Sequence, residues 1–224
     1  MPGRFSLYPD LTVEENLQFF ATIFNTSASA NYNLIKDIYV QIEPFKTRRA
    51  GKLSGGMKQK LALCCALIHK PVVLFLDEPT TGVDAVSRKE FWDMLKNLQQ
   101  QDITILVSTP YMDEASLCDR VALLQNGKVM TTGTPLEIIN AFTHPILAIK
   151  SPNMYSLLQD LSKWQEVEDV YSFGEYHHAV TQAGYHMQPL QQYLESKGHM
   201  PIELHEVTPT IEDCFMQLMQ QKHA

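Results

Sequence analysis

Leu53 to Asp84 reads LSGGMKQKLALCCALIHKPVVLFLDEPTTGVD, and the fold follows from how this run is divided. Ser54-Gly55-Gly56 opens a long apolar helix. A helix N-terminus carries unpaired N–H groups and partial positive charge, so it favours anions. Gly55 and Gly56 have no side chains, so a phosphate can come close to their backbone. Ser54 stands at the cap position, where its hydroxyl can serve the helix or a ligand. Val72 to Leu76 is a continuous apolar run, the pattern of a parallel strand buried on both faces. Asp77-Glu78 falls at its carboxyl end, where sheets of this kind bind ligands. One carboxylate there can hold Mg²⁺, usually through water, and the second can orient or deprotonate an attacking water. Pro79 stops the strand, and a tight turn runs from Thr80 to Asp84.

Each piece alone has a plain structural explanation: a helix cap, or a solvated turn. Their fixed order and tight spacing carry the inference. Leu53-Ser54-Gly55-Gly56-Met57 resembles the signature of the ATPase subunits of ABC transporters. VVLFLDEP resembles the Walker B strand with its catalytic glutamate, and TGVD resembles the D-loop. The resemblance covers nearly the whole chain. It implies ATP and Mg²⁺ as ligands and Glu78 as the catalytic carboxylate. Asp77 would hold Mg²⁺ through water. Leu53, Ser54, Gly55, Gly56, Met57 and Asp84 would bind nucleotide across a dimer. It further implies a second ATPase subunit and a membrane permease as partners, and a cytoplasmic position on the inner face of the membrane.

Composition sets the outer bounds. The chain has 224 residues, 45% hydrophobic, enough for one sizeable core or two modest ones. No apolar run approaches the ~20 residues that span a bilayer. MPGRFSLYPD at the start lacks the apolar core of a signal peptide. The net charge of −7 argues against nucleic acid as a partner. Cys64, Cys65, Cys118 and Cys214 fit no zinc spacing and read as small apolar residues in a reducing compartment.

Charge is uneven. Residues 1–141 hold 14 basic and 15 acidic groups; residues 142–224 hold 4 and 10, with seven of the eight histidines. This shift suggests a domain boundary near residues 142–151. The resemblance implies a partial P-loop NTPase domain at 1–142, α/β in class with a helical subdomain at about 8–56, and a small α+β accessory domain at 143–224.

Within the first part, Thr12 to Glu15 reads as a capping box. Val13, Leu17, Phe20 and Phe24 follow at helical spacing, then Leu34, Ile38 and Ile42 before Pro44. Lys46, Arg48, Arg49 and Lys52 read as a solvated basic loop. Tyr8, Pro9 and Leu11 are candidates for the permease contact that the resemblance implies. Phe91, Met94, Leu95 and Leu98 mark a helix, Ile103 to Val107 a second buried strand, and Asn126-Gly127 a hairpin turn.

The chain departs from the family pattern in three ways. GxxxxGK[ST], the Walker A run, does not occur in the 224 residues, so the expectation is that Met1 is internal and the chain a fragment. Gly3 stands where the family has Gln. Pro110 stands where it has a histidine that contacts the terminal phosphate. Both suggest that this chain's own site is degenerate while its signature serves a partner.

The accessory part reads strand 146–150, helix 153–161, strands 167–173 and 176–181, helix 188–196, strand 202–207 and helix 210–220, a β-α-β-β-α-β order. Glu206 to Phe215 resembles the close of the accessory domain in drug-export ABC ATPases. His177, His178 and His186 read as surface residues rather than a metal site, because adjacent strand residues face opposite ways.

Overall fold

A computed structural model describes residues 7–220, which form two compact units, one up to Tyr111 and one from Met112. The Gly3 reading lies outside the described residues.

The first unit holds helices α1 (Val13–Ile23), α2 (Tyr32–Tyr39), α3 (Gly55–Leu67) and α4 (Ala85–Gln99), and strands β1 (Val73–Asp77) and β2 (Thr104–Ser108). The capping box forms as read: Thr12 Oγ1 accepts from Glu15 N–H at 3.2 Å, and Glu15 Oε2 accepts from Thr12 N–H at 2.8 Å. Those bonds hold the Glu15 carboxyl below its usual value. The basic loop also serves α1, since the carbonyls of Lys46 and Arg48 accept from Glu14 and Val13 N–H. Sequence reading passed over Asn16. It is fully buried and pins the turn before α1, accepting from Tyr8 N–H and donating to the carbonyls of Tyr8, Leu11 and Thr12. Apolar residues of α4 sit at the expected spacing, with Phe91, Met94, Leu95 and Leu98 all buried.

β1 and β2 pair in parallel, with Asp77 opposite Ser108. Here the expectation of two-sided burial fails. Leu74 and Leu76 are buried, but Val73 is 43%, Phe75 61% and Leu106 59% exposed. The apolar run reflected strand character at every position, yet among the described residues only alternate side chains meet a core. The other face ends in Asp77 and Ser108.

The second unit holds α5 (Met112–Ala115), the hairpin β3 (Val121–Gln125) and β4 (Lys128–Gly133), α6 (Pro135–Asn140), and then β5 (Ile146–Lys150), α7 (Met154–Leu161), β6 (Val167–Phe173), β7 (Tyr176–Thr181), α8 (Met187–Ser196), β8 (Glu203–Val207) and α9 (Ile211–Gln220). Asn126 and Gly127 turn the hairpin with φ of 50° and 71°, the left-handed pair such a turn requires. The four later strands form one antiparallel sheet ordered β6-β7-β5-β8. Leu147 and Ile149 face α7 and α8 in one core, while Ile146 meets Ile211 and Cys214 of α9 in another. Burial pushes the Cys214 thiol up to about 11, so it packs as an apolar group.

The histidine reading needs correction. His177 and His178 do face opposite ways, but both are buried, at 4% and 5% exposure; only His186 is at the surface. Burial is possible because each ring has polar partners. His177 Nε2 bonds the Met154 carbonyl at 2.7 Å, and His178 Nδ1 bonds Asp213 Oδ1 at 2.7 Å.

Candidate functional site: a helix tip and a carboxylate turn

The tip of α3 is open to solvent. Ser54 caps the helix in extended conformation, and Ser54 and Gly55 are exposed while Gly56 and Met57 are half-buried. Ser54 Oγ accepts from Met57 N–H at 3.4 Å, a long bond that leaves the hydroxyl available to a ligand. Leu53 is buried beneath the tip and anchors it.

The two glycines are bare for different reasons. A Cβ on Gly55 would find only Gly82 O at 3.8 Å and Val83 Cγ2 at 3.9 Å, ordinary contacts. Nothing in the protein forbids a side chain there, so its absence keeps the outer side clear. A Cβ on Gly56 would lie 2.7 Å from Ser87 Oγ and 3.1 Å from Ser87 Cβ. At this position glycine is dictated by the approach of α4.

At the carboxyl end of β1 the chain carries Asp77 and Glu78, both exposed. Ser108, opposite Asp77 in the parallel register, organises them. Its hydroxyl donates to Asp77 Oδ1 at 2.6 Å, and Glu78 N–H approaches both Ser108 O at 3.0 Å and Ser108 Oγ at 3.1 Å. Glu78 adopts φ of 43°, the left-handed region that non-glycine residues avoid at a cost of roughly 1–3 kcal/mol. Thr81 hydroxyl donates to Glu78 Oε2 at 3.1 Å. The turn is closed by Thr81 N–H to Glu78 O and Val83 N–H to Thr80 O, both 3.2 Å.

The turn ends at Asp84, which caps α4 by accepting from Ser87 N–H at 3.0 Å. The Ser87 N–H, and then its hydroxyl, hold the Asp84 carboxyl below its usual value, so it is anionic at neutral pH. Pro110 is exposed just past β2. Beside it, Thr109 Oγ1 accepts from Tyr111 N–H at 3.1 Å, and the Arg88 guanidinium lies 4.2 Å from the centre of the Tyr111 ring.

The nucleotide, catalytic and metal residues read from the sequence therefore fall into two neighbouring groups, the tip (53–57) and the carboxylate turn (77–84), while Pro110 stands apart past β2. The tip lies close enough to the turn and to the start of α4 that side chains on Gly55 and Gly56 would touch Gly82, Val83 and Ser87. Sequence reading missed Ser108, Thr81, Ser87 and Gln59 as organisers. Ser108 was within reach: a parallel register that aligns two strand ends puts Ser108 beside Asp77. Gln59 gave a weaker sign, a polar residue between Lys58 and Lys60 that falls at helical spacing with the apolar Leu63. Among the described residues no group of three or more His, Cys, Asp or Glu could hold a metal ion. The oxygen donors of Asp77 and Ser108 suit instead a hard cation that keeps most of its waters and bridges to phosphate.

The comparisons agree with this geometry. The ABC transporter family matches residues 2–81. The probable multidrug ABC transporter ATP-binding protein YbhF of Escherichia coli is 36% identical over 223 residues, spanning 98% of this chain and 38% of that protein. Nod factor export ATP-binding protein I of Burkholderia lata is 34% identical over 222 residues, spanning 97% of this chain and 71% of that protein. The chain thus covers well under half of the first relative and less than three-quarters of the second. Among solved structures, the ATP binding subunit of an ABC transporter superposes with a TM-score of 0.53 at 28% identity, covering 61% of this chain and 58% of that one. CbiO1 of Clostridium perfringens, part of the ABC transporter complex cbiONQ, gives 0.52 at 28% identity over 60% of this chain and 55% of that one. With Ser54 and Gly55 exposed at a Ser-Gly-Gly helix tip beside an Asp-Glu strand end, and with relatives that match along almost its full length, the chain belongs to the family of ABC transporter ATP-binding proteins.

Proposed function

We propose that the chain works as the ATP-binding and ATP-hydrolysing component of an ABC exporter. The observation that carries this is the exposure of Ser54 and Gly55 at the N-terminus of a helix that Gln59 ties by a hydrogen bond to Pro79, next to Glu78. In this reading Ser54, Gly55, Gly56 and Met57 close over the terminal phosphate of ATP held by a facing ATPase subunit. The phosphate cradle that this tip covers is the facing subunit's, and the 224 residues supply the signature, the strand-end carboxylates and the turn. Asp77, oriented by Ser108, would hold Mg²⁺ through water, and the ion when bound would supply neutralisation of phosphate charge. Glu78 orients the attacking water and takes up its proton, with Thr81 fixing one carboxylate oxygen so that the other faces outward. Asp84 lies at the seam between facing subunits. Closure of the pair is passed to a membrane permease, against which the Tyr8–Leu11 turn docks. Among the described residues no helix is long and apolar enough to cross a membrane; we place the chain on the cytoplasmic face. The sequence boundary at 142/143 separates the ATPase part from an accessory domain that follows it.

Pro110 favours a narrower version. Proline offers neither a donor nor a base at the position where the family carries histidine, so this chain's own site is degenerate and its signature serves the companion site. ATP turnover by the chain mixed with its companion ATPase tests both statements. Ser54→Arg, which fills the exposed tip, is expected to lower the mixture's turnover on the order of 100-fold, the scale of a lost transition-state donor. Unchanged turnover overturns the proposal. Glu78→Gln is expected to leave the mixture's turnover largely intact; a complete loss overturns the narrower version alone.

A further inference from the structure

Two contacts tie the first turns of α3 to the turn after β1. One is the packing of Gly56 on Ser87, the residue that donates to Asp84. The other is Gln59. Its side chain is 9% exposed, and Nε2 donates to the Pro79 carbonyl. Pro79 is buried and directly follows Glu78.

Glu78 needs such a tie. A left-handed φ at a non-glycine residue persists only where the surroundings over-determine it. Ser108 fixes the N–H side of Glu78. The carbonyl side runs into Pro79, which has no N–H to give, so that flank is held through the Pro79 oxygen.

Gln59 is also costly where it stands. Its Oε1 is buried with no hydrogen-bond partner among the described residues, and an unmade bond inside a protein is unfavourable. A leucine fills nearly the same volume without that cost. What the amide adds over an apolar side chain is the N–H given to Pro79.

We propose that Gln59 is a positioning residue that makes the α3 tip and the Glu78 carboxylate one rigid body. Its functional meaning rests on the ATPase reading; its geometry does not. Within that reading the tip serves one nucleotide and Glu78 another, so loading of one site is felt at the other through Gln59 and Pro79.

Amide hydrogen exchange on the 224-residue chain, corrected for intrinsic rates, tests this without nucleotide. In Gln59→Leu the Thr81 and Val83 amides are expected to exchange about five- to tenfold faster, the worth of one hydrogen bond, while Leu63 to Leu67 of α3 stay as in the wild type. Gln59→Glu adds a readout that packing alone does not move. Burial raises a carboxyl pKa, so at pH 5 the protonated acid donates to Pro79 and protection matches the wild type; at pH 8 the carboxylate faces a carbonyl and protection falls. Wild-type exchange at Thr81 and Val83 in Gln59→Leu overturns the proposal. So does a Gln59→Glu profile equal at both pH values, which keeps the test decisive if the leucine variant misfolds. A failed ATPase assay bears only on the functional reading.

Discussion

Asp77 and Asp213 are the same residue in opposite settings. Asp213, in the second unit, is fully buried and accepts four hydrogen bonds: Tyr171 Oη at 2.8 Å, His178 Nδ1 at 2.7 Å, and Thr210 N–H and Oγ1 at 2.6 and 2.7 Å. Phe173 stacks on His178 with ring centres 4.1 Å apart. Asp77, in the first unit, stands exposed at a strand end with Ser108 on one oxygen. The sheets that carry them differ in the same sense. β5 is buried from Ile146 to Ile149, whereas β1 shows one face to solvent. A satisfied, enclosed carboxylate holds a fold together; an open one with unused lone pairs is set up to act on something else. By that criterion the chemistry lies at 53–84, and the histidine-rich second unit is architecture.

The strongest way to break this contrast is to delete the enclosed group. Asp213→Ala leaves a buried imidazole and two hydroxyls without their acceptor, and is expected to destabilise the second unit by about 3–5 kcal/mol, read from urea unfolding followed at Trp164. The same group sets an acid limb. Burial pushes the Asp213 carboxyl up, but the bonds from His178, Thr210 and Tyr171 outweigh it and hold the folded value below 3.8. A depressed carboxylate contributes stability above its unfolded pKa and loses it as pH falls through the folded one. Tm of the second unit should therefore drop as pH falls below about 3.8, and Asp213→Asn should flatten that limb. The Asp160 carboxyl, lowered first by its bond from His199, works in the same direction.

Next in size is Gly56→Ala. The new methyl meets Ser87 at 2.7 and 3.1 Å, and overpacking of this kind costs about 1–3 kcal/mol. Ser87→Gly in the same chain should restore most of it, by chemical denaturation followed at Trp92. Thr12→Ala removes the α1 cap and should cost about 1 kcal/mol in the same assay. Asp77→Asn is expected to change stability by less than about 0.5 kcal/mol, as for exposed positions away from structural features, while weakening the response of the companion mixture to Mg²⁺. A large loss of stability here would erase the contrast with Asp213.

Much of the fold was legible because it rests on local chemistry. The Thr12 capping box, the Asn126-Gly127 turn and the β-α-β-β-α-β order of the accessory part each follow from residues a few positions apart. The candidate site residues were legible from the order of SGG, DE and TGVD. What escaped were contacts made at a distance. Asp213 meets His178 and Tyr171 across 35 and 42 residues, Gln59 reaches Pro79 across 20, and Ser108 meets Asp77 across 31. Periodicity names the polar residue but not its partner, which is why His177 and His178 read as surface residues. The open face of β1 escaped for a related reason: an apolar run reports what a strand could bury, not what covers it.

The measurement closest to the central claim is the amide NMR spectrum of Gly55 and Gly56 as an ATP-loaded companion ATPase, obtained by co-purification with this chain, is added. The account predicts that these two amides shift with the companion and ATP together and stay in place with free Mg-ATP alone. Amides that ignore the loaded companion, or that respond fully to micromolar free ATP, would contradict it.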